Sequence, residues 1–509
     1  AVTLAKMASL TRGSILIGNS AADVTALGIG TNDYVLTSDG TDIAWEAVAA
    51  GITNKTFGTS SIMIGDSTTG TIDAANYNTG VGIDIFAALT TGDNNTAVGY
   101  QALLVNTTGD YNSAVGARTL SANVGGARNV AVGYAALESN SSTNGGSYNV
   151  GVGFSALCVN QASSNVAIGY SALGLNTTGT PNIAIGYNAL GANTTAADNT
   201  AVGYSALAVN TEGHSNIAIG NYAGDAITTG DWNVGIGVFS LSSNQTANAN
   251  TAIGKDCLAN CTGGENTAVG YQALVGNTSA EANVAVGFET LHANQTGTYG
   301  TAVGYRALKA STVSSNTGLG AFAGQGITSG ANNVAVGTYS LMAASMTASN
   351  CTAVGYNALA QNTAASNTAV GANALDAVNV GGNNTAVGYD AMGALVEGGH
   401  NVAVGLAAMR TGNGANNVCI GSATGYNLSA STANSTFVGR EAGHNVSSGD
   451  GNTFIGFEAG KSATSTGSNT CLGRDTEPSS ATSGGHEVVI GANAVGKGSS
   501  TGYLYANGG

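Results

Sequence analysis

Of 509 residues only 8% are charged and 6% aromatic, while Gly occurs 78 times and Pro twice; this excludes a string of ordinary globular domains and asks for a periodic explanation. A formal charge of −15, from 13 Lys plus Arg against 28 Asp plus Glu, leaves no basic patch able to follow a phosphate backbone, so no nucleic acid is expected as a partner. The 43% of apolar residues exceeds what disordered Gly-rich chains carry, so the chain can bury a core provided its small residues stack regularly.

Residues 1–48 are expected to form an N-terminal attachment segment, followed by a linker over 49–60, a repeat shaft over 61–495 and a C-terminal tail over 496–509. The opening AVTLAKMASLTRG lacks the apolar stretch of a signal peptide, and no apolar run reaches the length of a membrane span, so no membrane insertion is expected. The first residue is Ala, as expected of a chain that has lost its initiator or begins partway through a longer product.

From residue 61 onwards one motif dominates, Asn-x-Ala-(Val/Ile)-Gly. Its 26 glycines run from Gly65 to Gly491, 426 residues in 25 steps, or about 17 residues per step. One step is longer, Gly133 to Gly153, where SSTNGGSYN extends a loop. With places counted from the Asn, the stretch Asn165, Val166, Ala167, Ile168, Gly169, Tyr170 puts β-branched residues second and fourth and small ones third and fifth. Successive strand residues face opposite ways, so Val166 and Ile168 are expected to face the core of a coil and Ala167 and Gly169 the other side.

A second apolar point follows at Ala172-Leu173, and again at Ala102-Leu103, Ala189-Leu190, Ala273-Leu274 and Ala358-Leu359, so each repeat predicts two short strands. The turn Asn106-Thr107-Thr108-Gly109-Asp110, matched at Thr228-Thr229-Gly230-Asp231, supplies the Asn and Gly that tight corners need. The Gly, Asn and Thr content and the period of two exclude a helix. Four rungs carry Ala-Gly in place of Ala-Leu: Ala223-Gly224, Ala323-Gly324, Ala442-Gly443 and Ala459-Gly460. There the lost Leu is expected to open or re-route the second strand, as a bend, a receptor loop or neutral variation.

A single turn buries three or four Val, Ile or Leu side chains at about 1.5–3 kcal/mol each, against about 1–2 kcal/mol for every backbone residue ordered. Turns must therefore stack on one another. Stacking predicts a ladder of side-chain amides from Asn95, Asn129, Asn165, Asn182 and Asn199. It predicts a second ladder of sixth-place rings from Tyr100, Tyr134, Tyr170, Tyr187, Tyr204, Tyr271, Tyr305, Tyr356 and Tyr389, read as packing in preference to a sugar-binding stripe. The Ala and Gly face would let another backbone approach, which favours a closed threefold rod over a narrow monomeric coil with the same residues inside. The expected fold is all-β: a β-solenoid or β-roll of about 26 rungs, a parallel homotrimeric rod on the order of 120 Å long.

The strings NVAIG (Asn165 to Gly169) and NIAIG (Asn182 to Gly186, Asn216 to Gly220) resemble the head repeat of trimeric autotransporter adhesins, which implies a trimeric β-roll, although the period here is longer than is usual in those heads. The longer string NTAVGYxAL, followed by NTTG in some copies, as in Asn95 to Leu103 and Asn266 to Leu274, is similar to repeats of bacteriophage tail fibre proteins over roughly residues 60 to 495. The segments Leu10 to Asn19 and Gly30 to Gly40, with Trp45, resemble the stretch before the shaft in such fibres, which implies a small β-rich piece joining shaft to virion. Related fibres often carry a C-terminal chaperone that cleaves itself off. The ending Gly502-Tyr503-Leu504-Tyr505-Ala506-Asn507-Gly508-Gly509 is expected either of the product after that cleavage or of the ordered part of a longer chain.

The remaining motifs carry little chemistry. Gly318-Leu319-Gly320 and Gly80-Val81-Gly82 are repeat anchors with Gly in the Ala place, not phosphate loops. Asp110, Asp231 and Asp450 sit in turns, where Asp caps its own backbone, and are too scattered for the paired carboxylates of a glycan hydrolase or for a Ca²⁺ ladder. His214, His292, His400, His444 and His486 stand apart from one another and from any Ser-Asp constellation. Cys158, Cys257, Cys261, Cys351, Cys419 and Cys471 show no zinc spacing; Cys419 and Cys471 occupy the Ala place and read as small buried residues, while Cys257 and Cys261 could pair or stay free. Sequons of the Asn-x-Ser/Thr kind follow from the composition and imply no glycosylation.

No catalytic, cofactor-binding or metal-ligating residue is assigned, no cofactor is expected and the chain is not expected to be an enzyme. The expected function is that of a structural fibre protein of a phage virion, in a tail or capsid fibre, giving reach and host-surface adhesion. Its expected partners are two further copies of itself, the baseplate or capsid through the N-terminal segment, and a host surface glycan or protein; its place is the virion or the extracellular space. The alternatives are a bacterial cell-surface adhesin or extracellular filament, and, more remotely, a polysaccharide-cleaving spike.

Overall fold

The computed structural model describes residues 60–65, 74–140, 146–377, 380–482 and 485–504, together with the backbone of five strands before residue 60. The chain forms two compact units, residues 1–147 and 148–509. It is an all-β parallel solenoid of about 25 turns with a 17-residue repeat and, among the described residues, no helix.

In the first unit two antiparallel hairpins, Ile15–Gly18 with Val24–Leu27 and Tyr34–Ser38 with Ile43–Ala47, precede the repeats. Asn54–Phe57 lies antiparallel on Ser61–Ile64, and from there pairing turns parallel through Thr79–Val81, Thr96–Val98, Ser113–Val115 and Val130–Val132. The second unit stacks its strands in chain order from Val150–Val152 to Gly502–Leu504, each parallel to the next and in register, so that Val166 pairs with Ile183 and Ala167 with Ala184.

The facing of these strands is the reverse of the expectation. Ala167 is fully buried, whereas Ile168 is 39% exposed and Val166 half-buried. The interior is filled from the other wall of the coil by the ninth-place Leu: a β-carbon added at the third-place Gly318 would stand 2.8 Å from Leu308 Cγ. Ala is the largest residue that place accepts opposite a Leu, so the β-branched residues point outward. The face of small residues that suggested a partner chain is therefore the inside of one chain's own coil and offers no surface to a second.

Among the described residues the second strand of each repeat is also absent. After the anchor Gly169 the chain runs through turns with positive φ at Ser171 (51°) and Leu173 (49°), and this repeats in almost every rung. Left-handed geometry at a non-Gly residue costs roughly 1–2 kcal/mol. It is offset by aiming N–H groups two residues apart in opposite directions along the axis: Ser171 N donates back to Phe154 O at 2.9 Å, and Leu173 N donates forward to Ala189 O at 3.0 Å. A regular strand would point the N–H groups of residues two apart toward the same neighbour and would not turn the chain so sharply. The anchor itself must be Gly: Gly186 has φ +137°, and a side chain there would run into Gly203 O of the next turn.

The first-place Asn residues are buried and stacked, and the expected amide-to-amide bond joins some of them, as from Asn129 Nδ2 to Asn112 Oδ1 at 3.2 Å, while most of their bonds go to the backbone. Asn182 Oδ1 accepts from the backbone N–H of Asn199 at 3.0 Å, and Asn182 Nδ2 donates to the corner carbonyl of Ala196 at 2.9 Å. Each side chain thus satisfies buried backbone groups of the following turn. A further amide-to-amide ladder lies at the twelfth place, where Asn176 Nδ2 donates to Asn160 Oδ1 at 2.7 Å and Asn193 Nδ2 to Asn176 Oδ1 at 2.8 Å. The sequence had shown Asn106 at this place only as a corner residue.

The four Ala-Gly rungs neither bend nor open. Gly224 and Gly443 keep φ of +57° and +60°, close to that of Leu173, and the missing volume comes from elsewhere in the turn. Ile227 fills it beside Gly224, Ile327 beside Gly324, and the fully buried Phe437 and Phe454 fill it beside Gly443 and Gly460.

Candidate functional site

Because third-place Ala and ninth-place Leu fill the inside of the described turns, contacts of the shaft fall on its outer stripes. The first stripe is the outward face of the strands. From Ser61–Ile64 to Val488–Ile490 the fourth-place residue is always Val, Ile or Leu and the second is Thr, Ser, Val or Ile, so this face holds no charge. It is half-exposed throughout, with Ile185, Ile219 and Ile253 at 37–39%.

The second stripe is the ring ladder. Tyr170 and Tyr187 stack with centroids 5.0 Å apart and planes 8° from parallel, as do Tyr187 and Tyr204 at 5.0 Å and 7°. Each ring covers its neighbour's face, which is the expected packing ladder over this stretch. In some later turns the aromatic stands at the seventh place, as at Tyr222 and Phe239, and the Tyr204–Tyr222 contact becomes edge-on at 61°; Tyr271, Phe288 and Tyr305 stack at the sixth place again. The sequence had placed no ring at Tyr222, Phe239, Phe322 or Tyr339, because the shift breaks the sixth-place column.

The third stripe, at the seventh and tenth places, carries ion pairs. Glu289 accepts from Arg306 Nε at 2.8 Å and Lys309 Nζ at 2.6 Å, and the hydrogen bond from Lys309, then that from Arg306, holds its carboxyl below the usual range. Lys461 bridges Glu441 at 2.5 Å and Glu458 at 3.2 Å, and Arg410 joins Asp390 to the Tyr426 hydroxyl. Exposed pairs of this kind contribute at most about 1 kcal/mol each. Where the stripe loses its charges, at Ser155, Ser171, Gly174, Asn188 and Gly191, an open groove of about 430 Å³ runs along it, walled by Val159 and Leu175.

The turn aspartates cap a neighbouring rung, not their own backbone. Asp110 Oδ1 accepts from Asp93 N at 2.7 Å, Asp231 Oδ1 from His214 N at 2.6 Å, and Asp450 Oδ1 from Ala433 N at 2.7 Å. The stack brings residues 17 apart closer than the local turn does. His214 Nδ1 accepts from Ala197 N at 2.9 Å in the same corner, and His444 stacks on Tyr426 at 5.0 Å. Burial, with Lys309 adding to it, lowers the His292 pKa.

None of the six cysteines forms a disulfide; Cys419 and Cys471 are fully buried, as their Ala-like placement predicted. Cys257 Sγ donates to Ala268 O at 3.2 Å and Cys261 Sγ to Gly263 O at 3.1 Å, so neither takes the other as a partner. Among the described residues no group of three His, Cys, Asp or Glu could hold a metal ion, and no helix is long and apolar enough to cross a membrane. No known family model, no curated protein and no solved structure matches this chain.

Proposed function

We propose that the chain is a structural fibre protein of a phage virion, in the tail or capsid fibre, which acts as a homotrimer giving reach and host-surface adhesion. The observation that carries this reading is the uncharged face that recurs on the stacked strands of each unit, with Val, Ile or Leu at the fourth place of every one from Ser61–Ile64 to Val488–Ile490. In the second unit this face is a strip about 100 Å long and about 7 Å wide, from strand spacings of about 4.8 Å and same-face residues two apart. That is roughly 700 Å² per chain, close to the roughly 800 Å² per partner of a standard stable interface. Two further copies of the chain, each offering the same strip about one axis, cover it in a closed way that leaves no open end for lateral growth.

The same stack presents similar surface groups at many turns, which suits adhesion by many weak contacts acting together. The resemblance of NTAVGYxAL to phage fibre repeats supports the virion over the cell surface. Light scattering on the full chain tests the assembly: three times 49.6 kDa is expected, and a monomer overturns it. Antibodies against the shaft test the location, with labelling of fibres on phage particles expected; labelling of the surface of uninfected cells would instead establish the adhesin.

A further inference from the structure

Two carboxylates stand in the last described turns at places where other turns hold buried neutral groups, Glu487 fully buried and Glu477 half-buried with one buried oxygen. Glu477 stands at the ninth place, the position of Leu173 and Met392, and Glu487 stands at the first, the position of Asn182. Glu487 is 1% exposed; its Oε2 accepts from Ser479 N at 2.9 Å, its Oε1 accepts from Ser479 Oγ, and it lies directly under the Gly496 backbone. Glu477 is tied to the following turn by its backbone, N to Ala494 O and O from Gly496 N, both at 2.9 Å. Its Oε1 accepts from Ser462 N at 3.0 Å, but its buried Oε2 has no hydrogen-bond partner among the described residues.

Among the described residues no cation answers this pair. The ammonium of Lys461, whose backbone lies beside Glu477, is held by Glu441 and Glu458, and Arg474 leans to Asp475 at 3.7 Å. The other groups facing Glu477 are Asp475 and the Cys471 thiol, and Glu487 faces the same thiol. A half-buried carboxylate with one buried oxygen unbonded and the acid Asp475 beside it is favoured as the neutral acid, against the bonds that Ser462 and the Lys461 backbone give its anion.

We propose that the turns from Thr470 to Leu504 form a carboxylate latch, closed while Glu477 is protonated and opened as it ionises, without disturbing the turns before it. Burial, the largest influence, and then Asp475 push the Glu477 pKa above its ordinary 4.5 against the backbone bonds from Ser462 and Lys461. A folded value above the unfolded one means that the stabilisation is complete below about pH 4.5 and is lost as pH rises through the folded value. Opening would then expose the apolar edge of these turns at neutral and alkaline pH, and close it in acid.

Hydrogen exchange of the full chain, read as protection factors between pH 4 and pH 8, tests this. Amides of Thr470–Leu472 and Val488–Ile490 should lose protection severalfold or more across that range, while those of Ile217–Ile219 stay level. Glu477→Gln, which fixes the neutral form, and Glu477→Leu, which restores the usual ninth-place residue, should both hold protection constant. Level protection in the unaltered chain, or a loss that persists in both variants, overturns the latch.

Discussion

Phe437 occupies the space that Gly443 leaves empty: a β-carbon at Gly443 would come within 2.8 Å of the Phe437 ring. In the usual turn the third place is Ala and the ninth is Leu, so the volume has changed sides of the coil with its sum conserved. Gly443→Leu alone should overpack and cost about 1–3 kcal/mol, and Phe437→Ala alone should leave a cavity and cost about 3–5 kcal/mol. The double variant rebuilds the ordinary turn and should recover most of both losses. A double-mutant cycle from urea denaturation measures the coupling, and additive losses would show that the two residues do not share one space.

The two Asn columns should respond differently to replacement. Asn182→Ala removes the acceptor for the buried Asn199 N and one of two donors to Ala196 O, which Asn193 Nδ2 also reaches, and should cost about 1–3 kcal/mol for the N–H left unsatisfied. Asn193→Ile combined with Leu190→Gly copies the natural arrangement of Ile227 beside Gly224, and should be tolerated with a loss under about 1.5 kcal/mol, as volume-conserving swaps are. Melting midpoints of the two variants give the comparison; equal losses would mean that the twelfth-place amides matter as much as the first.

On the outward strand face, Ile219→Lys together with Ile253→Lys places two charges 34 residues apart on side chains that are 39% and 37% exposed. A coil that stands alone should tolerate both with a change under about 0.5 kcal/mol. In a trimer the same charges face each other across the axis, and the mass should fall to that of one chain with an unaltered circular dichroism spectrum. An unchanged trimeric mass would move the contact to another stripe.

The thiols should sort by depth. Burial, assisted for Cys257 by Cys261, pushes the Cys257 pKa to about 12; burial likewise pushes Cys261 to about 11, while Cys419 is raised by burial alone. Since the thiolate is the reactive form, iodoacetamide at pH 8 should modify the half-buried Cys158 first and leave these three intact until the coil is unfolded. Mass spectrometry of the native and denatured protein reads the difference, and early loss of Cys419 would contradict a sealed interior.

Asp225 lies at the tenth place with one carboxylate oxygen buried and unbonded, and desolvation pushes its pKa above 3.8. A raised folded value makes its contribution favourable only in acid, so stability is lost as pH climbs through that value. Asp225→Ala, which copies Ala208 at the same place of the preceding turn, should melt later than the parent at pH 7 and together with it near pH 3. An advantage that does not vary with pH would point to packing, not charge.

Much of this solenoid is legible in its sequence, because stacking makes each turn obey the same constraints. The spacing of Gly65 to Gly491 fixes the period, the run Asn165 to Tyr170 marks the strand, and the sixth-place Tyr residues identify a ladder. The outer stripes were less visible. Glu289, Arg306 and Lys309 are 17 to 20 residues apart and meet only because one turn lies on the next.

What the chain's own residues determine, then, is the repeat and its alternation: Val166 and Ile168 on one side, Ala167 on the other. Which side is inside was decided by tertiary structure alone. Alternation defines two faces without ranking them, and the ranking comes from Leu173 and its equivalents, which cross the narrow coil and leave room opposite for nothing larger than Ala unless, as at Gly443, they are themselves removed.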